Sequence, residues 1–257
     1  MRRNFFFSFF IVFLLMPAGQ AFAYHPLATE DAAVIDKGHY ELEISQSVTE
    51  DPDENHVASG NYIPKAGLPG RTELDFTVPV IYGLRYRKEN EEEGGYDKKA
   101  SQGGFGDLEL LAKWLSWSES KYIPASAVAG KVRFPSGDSR KGLGEPKASY
   151  ETLYALSKTL KRLILHANIG WRFNLNEDDD LLLRTAADYE FTEKWHAVLE
   201  WDGRVNHRGA NHSEGSGILT GLIWEIHPRV TADTGIRVGL DDEEDRFQLT
   251  TGLTFPF

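Results

Sequence analysis

The stretch RFQLTTGLTFPF, residues 246–257, alternates apolar with polar or small side chains up to its last residue. Successive side chains of an extended strand point to opposite faces, so every second residue of this stretch shares one face. That face carries Phe247, Leu249, Thr251, Leu253, Phe255 and Phe257. Chain ends are usually frayed and polar unless the fold holds them. The stretch therefore predicts a final strand that is held by neighbouring strands.

The same alternation recurs along the chain after about Lys37. In RLILHANIGWRFN, residues 162–174, aliphatic and aromatic side chains occupy one face, and mostly Arg, His and Asn occupy the other. Such patterns are typical of strands with one apolar face, and they predict an all-β chain of about twelve strands. The predicted strands cover residues 40–45, 73–78, 80–87, 107–114, 128–134, 148–157, 162–174, 181–191, 194–201, 217–226, 229–240 and 246–257.

The predicted connections alternate between short and long. The short ones are Pro79 and the links near 117–122, 158–162, 191–194 and 226–229. The long, polar ones are 49–70, 89–104, 135–147, 175–180, 205–215 and 241–245. Short turns on one side and longer loops on the other are typical of transmembrane barrels, in which the short turns face the periplasm.

The positions of the aromatic residues distinguish a membrane barrel from a soluble β-sandwich, because a sandwich shows the same alternation. In a sandwich they should concentrate at mid-strand, whereas aromatic girdles of a membrane barrel lie near the strand ends. The residues that cluster toward the predicted ends are Tyr40, Tyr82, Tyr86, Trp114, Tyr122, Trp171, Phe173, Tyr189, Phe191, Trp195 and Trp201. We therefore predict a transmembrane antiparallel up-and-down β-barrel, with a soluble periplasmic β-protein as the alternative.

Closure of the barrel gives the last strand its partner. A closed barrel pairs every backbone N–H and C=O even in hydrocarbon, so the last strand should pair with the first. Leu249, Leu253, Phe255 and Phe257 would then face lipid and end at the membrane interface. This closing strand also resembles the signal that the outer-membrane assembly machinery of Gram-negative bacteria reads.

Residues 1–23 have the features of a secretory signal peptide. Arg2 and Arg3 precede an apolar run that is too short to span a bilayer, and Ala21-Phe22-Ala23 resembles a cleavage site. We expect export and a mature outer-membrane β-barrel domain at 24–257. The chain has no Cys, which excludes disulfides and thiolate metal sites, and its formal net charge of −11 disfavours nucleic acid as a partner.

The polar faces of the predicted strands should line the interior. Those we single out as pore-lining are Arg85, Arg87, Asp107, Glu109, Lys113, Lys131, Arg133, His166, Arg172, Arg184, Asp188, Asp233 and Arg237. In one interpretation, facing basic and acidic rows select small solutes by charge and size. In the other, the same side chains pair across neighbouring strands and fill the bore.

Other candidate sites are weaker. His207, His212 and Glu214 lie in a Gly-rich loop without a scaffold for tetrahedral zinc, and the acidic runs 176–180 and 241–245 lack the ligand spacing of an EF-hand. We predict no metal and no cofactor. A barrel hydrolase would need His166 with Asn168 and Ser149 or Ser157, but the chain has no Gly-x-Ser-x-Gly elbow. We predict that the protein is not an enzyme.

Four stretches together resemble the family of outer-membrane barrels named for the meta-pathway of phenol degradation. They are residues 25–43, 104–114, 132–158 and 234–257, which follow one another along nearly the whole mature chain. The resemblance implies an outer-membrane channel that passes hydrophobic or aromatic small molecules, without enzymatic activity. The family name does not imply that phenol is the solute.

The predicted function is therefore an outer-membrane β-barrel channel or transporter for small molecules. Its expected partners are outer-membrane lipid, the assembly machinery and a small-molecule solute. The alternative is a closed barrel with a structural, adhesion or assembly role, in which extracellular loops such as 49–70 and 89–104 capture a partner.

Overall fold

The computed structural model describes residues 25–52, 55–90, 95–99, 103–175, 179–206, 214–242 and 244–257; of residues 84–90, 95–99, 206 and 214 only the backbone is described. These residues form fourteen strands and a short 3₁₀ helix, Ser139–Lys141. The strands are β1 (Tyr40–Glu50), β2 (His56–Leu68), β3 (Thr72–Asn90), β4 (Gly95–Lys99), β5 (Gly104–Phe105), β6 (Glu109–Trp117), β7 (Ala125–Arg133), β8 (Ser149–Leu160), β9 (Leu163–Asn174), β10 (Asp180–Thr192), β11 (Trp195–Asn206), β12 (Glu214–His227), β13 (Val230–Gly239) and β14 (Phe247–Pro256). No helix in the described ranges is long and apolar enough to cross a membrane.

Twelve of the described strands close into an antiparallel barrel. β1 pairs with both β2 and β14, β2 pairs with β3, β3 pairs with β6, and each strand from β6 to β14 pairs with the next. β4 and β5 pair only with β3 among the described strands and are not counted in this ring. The predicted closed up-and-down barrel of about twelve strands is confirmed.

The closing contact joins the first strand, β1, and the last strand, β14. The pairing of β1 with β14 runs without a break from Glu41–Pro256 to Glu50–Phe247. At the far end, the Tyr40 N–H donates to Phe257 O at 2.8 Å and the Phe257 N–H donates to Tyr40 O at 2.9 Å. The two rings stack with centroids 6.1 Å apart. The expectation that the last strand pairs with the first is therefore confirmed.

The two faces of each strand differ as the alternation predicts. On β9, Ile169 points outward and is 51% exposed, whereas the neighbouring Asn168 points inward and is 5% exposed. The exposed large hydrophobic residues of the twelve ring strands lie on the outside of the barrel, and the buried charged residues lie inside it. The molecule therefore has an apolar outer wall and a polar lumen, the reverse of a soluble globular protein.

Two predicted boundaries were wrong, and their errors cancel in the strand count. The predicted turn at Pro79 lies inside the continuous strand β3. Pairing of β3 with β6 ends at Thr77 and pairing with β5 begins at Val80, so the missing N–H of Pro79 interrupts no ladder on that side. Conversely, most of the predicted loop 49–70 is strand β2, whose Gly60, Pro64 and Gly67 mask the alternation.

Residues 25–36 precede β1 and lie inside the barrel. We call them the inner segment. Thr29, Asp31 and Ala32 of this segment are buried, and its contacts reach inward-facing residues of β3, β6, β8, β9, β11, β13 and β14. The segment therefore crosses the lumen.

Candidate functional site

Glu200 of β11 holds the middle of the inner segment. Its carboxylate accepts the backbone N–H of Ala28 at 2.9 Å and that of Thr29 at 2.6 Å, and it also accepts the Thr29 hydroxyl. Glu200 is 1% exposed. A buried carboxylate is stable only when hydrogen bonds compensate its lost hydration, and peptide N–H groups supply them here. This residue thus fixes the segment against the wall.

Further side chains of the wall bind successive residues along the backbone of the segment. Asn168 of β9 accepts the Glu30 N–H at 2.8 Å and donates to Glu30 O at 2.7 Å. The Ser157 hydroxyl accepts the Ala32 N–H at 2.9 Å, and Glu73 accepts the Ile35 N–H at 2.6 Å. An extended segment without a strand partner must satisfy its N–H groups elsewhere, and these inward side chains do so.

The start of the segment packs against β12, β13 and β14. The two ring nitrogens of His25 contact the carboxylate of Asp233 and the hydroxyl of Thr250, the latter at 2.7 Å. Leu27 packs on an apolar cluster of Val198, Leu219 and Ile223. Pro26 lies so close to β13 that a Cβ on Gly235 would be 2.8 Å from its Cβ. The close approach of the segment therefore requires glycine at position 235 of the wall.

Lys113 of β6 lies at the centre of a group of carboxylates from the inner segment and the wall. Its ammonium lies 3.2 Å from both Asp31 and Glu73 and 3.7 Å from Glu30, and the residue is 1% exposed. On the adjacent wall, Lys65 lies 3.1 Å from Glu41 and 2.8 Å from Glu43. These buried charges are paired, as their desolvation requires. The wall formed by β1, β2, β3 and β6 is therefore rich in carboxylates that bind two lysines.

The loop after β7 folds toward the lumen from the end of the barrel opposite to the start of β1. Asp107 accepts the N–H of Gly137 at 2.8 Å and that of Glu145 at 2.7 Å, which holds the loop inward. Leu143 at its tip is buried, and a Cβ on Gly104 would meet its side chain at 2.9 Å. The predicted long loop 135–147 therefore narrows one mouth of the barrel.

A cavity of about 1000 Å³ lies between this loop and the inner segment. One side of its lining is acidic, with Glu43, Glu73 and Asp75, and another side is basic, with Lys131, Arg133 and Arg184. Apolar residues also contribute to the wall. A volume of this size is typical of sites for small molecules.

A second cavity of about 340 Å³ adjoins the first through Arg184, which lines both. Arg237 of β13 donates to Asp202 at 2.9 and 2.6 Å and to Glu244 at 2.9 Å beside it. Burial raises the pKa of Asp245 in the nearby loop, with Arg237 opposing this rise and Glu244 reinforcing it. Charged side chains thus continue from the main cavity to the mouth.

The structure places six of the predicted pore-lining residues on the main cavity: Asp107, Glu109, Lys113, Lys131, Arg133 and Arg184. Arg172 lines the second cavity. The side chains of Arg85 and Arg87 lie outside the described part of the structure. That these residues line a conducting pore stays a prediction.

The remaining predicted residues point inward, but each binds another side chain of the wall or the inner segment. His166 Nδ1 lies 2.8 Å from Ser157 Oγ, and Asp188 lies 2.8 Å from His196 Nδ1. Asp233 contacts His25 and Arg237 contacts Asp202. Both interpretations of the interior therefore have a counterpart in the geometry, because many charges pair while a cavity stays between them.

The alternative sites find no support in the described residues. His166 and Ser157 do meet, but the Ser157 hydroxyl also binds Ala32 of the inner segment. Among the residues that the structure describes, no group of three or more potential ligands could hold a metal. His207 and His212 lie outside those residues, and of Glu214 only the backbone is described.

Sequence reasoning did not place the inner segment in the lumen. Residues 25–36 show no strand or helix period, so nothing in the pattern located them. An indirect signal was the surplus of inward carboxylates over inward lysines and arginines in the predicted strands. Glu200, which has no ion pair with a lysine or arginine among the described residues, is bound by peptide N–H groups of the inner segment.

The closed barrel, its apolar exterior and its charged lumen define the class of outer-membrane β-barrels. Within this class, the chain belongs to the family described as "Putative MetA-pathway of phenol degradation", whose model matches residues 31–257. This confirms the resemblance in the sequence. No curated protein sequence matches the chain.

Solved structures of the same fold agree. An outer-membrane channel from Pseudomonas putida F1 superposes with a TM-score of 0.68 at 12% identity, covering 90% of this chain and 100% of that one. The NanC porin gives 0.58 at 9% identity, with 83% and 98% covered. The KdgM porin gives 0.58 at 7% identity, with 84% and 99% covered. At these identities the similarity concerns the fold.

Proposed function

We propose that this protein is an outer-membrane channel that passes small molecules through a lumen narrowed by its own inner segment. The observation that carries the proposal is the cavity of about 1000 Å³, lined by charged residues, inside a closed barrel with an apolar exterior. Solved structures of similar fold include a channel and two porins, which supports this function over an enzymatic one.

Localisation and assembly belong to the same proposal. Residues 1–23 act as the export signal, and the mature barrel lies in the outer membrane with its exposed hydrophobic residues in contact with lipid. The lipid-facing side chains of Leu249, Leu253, Phe255 and Phe257 on the closing strand are read by the assembly machinery. The outward exposure of Leu249 and Leu253 supports this reading, because an assembly factor must reach them.

The inner segment sets the width of the passage. Its backbone is bound by wall side chains from β3 to β11, so it stays in the lumen as a fixed constriction. Solutes pass between the segment and the wall that carries the basic residues. Small ions and solutes should therefore pass, and large ones should not.

Purified protein in planar bilayers and in liposomes tests the proposal. We expect discrete single-channel conductance in KCl and swelling of liposomes in small solutes, with no swelling in solutes too large for the narrowed lumen. Protein that is folded by gel mobility yet shows neither conductance nor swelling would contradict it.

A further inference from the structure

The basic wall of the main cavity carries an excess of positive charge around one carboxylate. Glu151 of β8 lies 3.1 Å from Arg172, 3.6 Å from Arg184 and 3.7 Å from Lys131. Arg172 also lies 3.9 Å from Asp180. Within 3.7 Å of Glu151, three cations therefore share this one carboxylate. Arg172 and Arg184 also line the second cavity, whose acidic residues are Asp202, Glu244 and Asp245.

Glu151 lines the main cavity together with Lys131 and Arg184, whereas Arg172 lines the second cavity, and the cations are more exposed than the carboxylate. The Glu151 side chain is 5% exposed, whereas those of Lys131 and Arg172 are 26% and 24% exposed. The Arg184 side chain is 13% exposed, and its 3.6 Å ion pair with Glu151 is longer than a hydrogen bond. A guanidinium has five N–H donors in a planar fork that fits a carboxylate. The arrangement thus presents donors to the cavity.

An apolar surface lies directly beside these donors. Leu153 is the next inward residue after Glu151 on β8, and Ala129, which pairs with Leu153, is the inward residue before Lys131 on β7. Together with Leu111 they form a buried apolar cluster, and all three line the main cavity with Lys131 and Arg184. A ligand with its charge on the basic residues would therefore rest an apolar body on this cluster.

We propose that this wall, with Lys131 and Arg184 beside Leu111, Ala129 and Leu153 and with Arg172 at the boundary to the second cavity, binds small organic monoanions that have a carboxylate and an apolar body. The inference rests on the proposed channel function, because such a solute reaches the site through the lumen. The carboxylate replaces Glu151 as acceptor for the guanidinium groups. Glu43, Glu73 and Asp75 on the acidic wall repel a second negative charge, which favours monoanions.

Calorimetric titration of the detergent-solubilised, full-length mature protein with benzoate tests the site. Benzyl alcohol and benzylamine have the same ring without the negative charge, and acetate has the charge without the ring. We expect benzoate to bind roughly tenfold or more tightly than each of them, as expected for one charge-assisted contact or one buried ring. Equal binding of benzoate and benzyl alcohol would overturn the proposal.

Variants separate binding from a structural role. Arg184→Gln and Lys131→Gln should each weaken benzoate binding roughly tenfold. Glu151→Gln removes the internal competitor and should tighten it several-fold, whereas a purely structural ion pair predicts no gain. Lys158→Gln is the matched control, because Lys158 pairs with Glu119 away from the cavity. A loss of benzoate binding in a folded Glu151→Gln protein would overturn the proposal.

The same samples distinguish this inference from the channel function. Conductance in KCl without preferential benzoate binding removes the anion site and leaves the channel. Preferential binding without any conductance removes the channel function and leaves a binding site within the barrel.

Discussion

Glu200 shows how a charged residue can be stable in the middle of a membrane barrel. It is buried at 1% exposure, and no cation pairs with it in the described residues. Its oxygens accept N–H groups of Ala28 and Thr29, whose peptide dipoles compensate the charge. The residue and the inner segment therefore depend on each other, since either one alone would leave buried polar groups unsatisfied.

Glu200→Ala should release the middle of the inner segment. It leaves the N–H groups of Ala28 and Thr29 without their acceptor, and unsatisfied buried donors cost about 1–3 kcal/mol each. A shift of ~2 kcal/mol changes the population of the displaced segment roughly thirtyfold. We expect higher or more frequently fluctuating single-channel conductance. Leu199→Ala, on the outer face of the same strand, is the control and should leave conductance as it is.

Gly235 offers a second test that leaves the charges intact. A Cβ at this position would lie 2.8 Å from the Cβ of Pro26 and 3.4 Å from Leu219, without a clash with the backbone of the wall. Gly235→Ala should therefore push the start of the segment away, at a cost of about 1–3 kcal/mol for overpacking. Faster proteolysis near residue 26 and increased conductance are expected.

Gly130 provides the matched control for this substitution. It also lies in a barrel strand, but a Cβ there would have no heavy atom within 4 Å. Gly130→Ala should change neither proteolysis nor conductance. If the Gly235 and Gly130 variants behaved alike, the inner segment would not be the constriction.

The closing strand β14 is the element on which barrel closure depends. Its outward residues alternate as the sequence predicts, and its end is fixed by the hydrogen bonds between Tyr40 and Phe257. The Phe257 ring adds a stacking contact with Tyr40. Stacked aromatic pairs contribute about 0.5–1.5 kcal/mol beyond their buried area.

Phe257→Ala should lower the yield of assembled barrel in the outer membrane. The substitution removes the stacking and the terminal ring of the proposed assembly signal but keeps the backbone pairing. The measurement is the fraction of heat-modifiable, folded protein in the membrane after short induction. Phe247→Ala changes an outward Phe at the other end of the same strand and should have a smaller effect. Equal losses in both variants would remove the special role of the terminal residue.

The elements differ in how far the sequence could predict them. β9, β10 and β14 alternate cleanly, and the alternation predicted their inward and outward faces. β2 was not predicted, because Gly and Pro weaken a strand pattern even though Lys65 and Ile63 of β2 do line the lumen. β3 was divided at Pro79, since the sequence does not show where a neighbouring strand has stopped pairing.

At the scale of the whole molecule, the distribution of polarity determines the surroundings. Large hydrophobic residues stay exposed on the outer wall, and acidic and basic side chains are buried inside. An exposed apolar surface of this extent is stable only against lipid or detergent. We expect the mature chain to refold into detergent micelles or bilayers and to aggregate when the detergent is removed.

This expectation is tested by heat-modifiable gel mobility and by sedimentation, each with and without detergent. The folded form should appear only in samples that contain detergent or lipid. A folded, sedimentation-monodisperse monomer in buffer without detergent would contradict a membrane barrel.

The sequence by itself determined the all-β class, the approximate strand number, the closing strand and the polarity of each face. These properties are local, because side-chain direction repeats every two residues along a strand. Only the tertiary structure decided that the inner segment lies in the lumen, that the loop after β7 narrows the mouth, and which cations share Glu151. Such contacts join residues that are distant along the chain, and no local period encodes them.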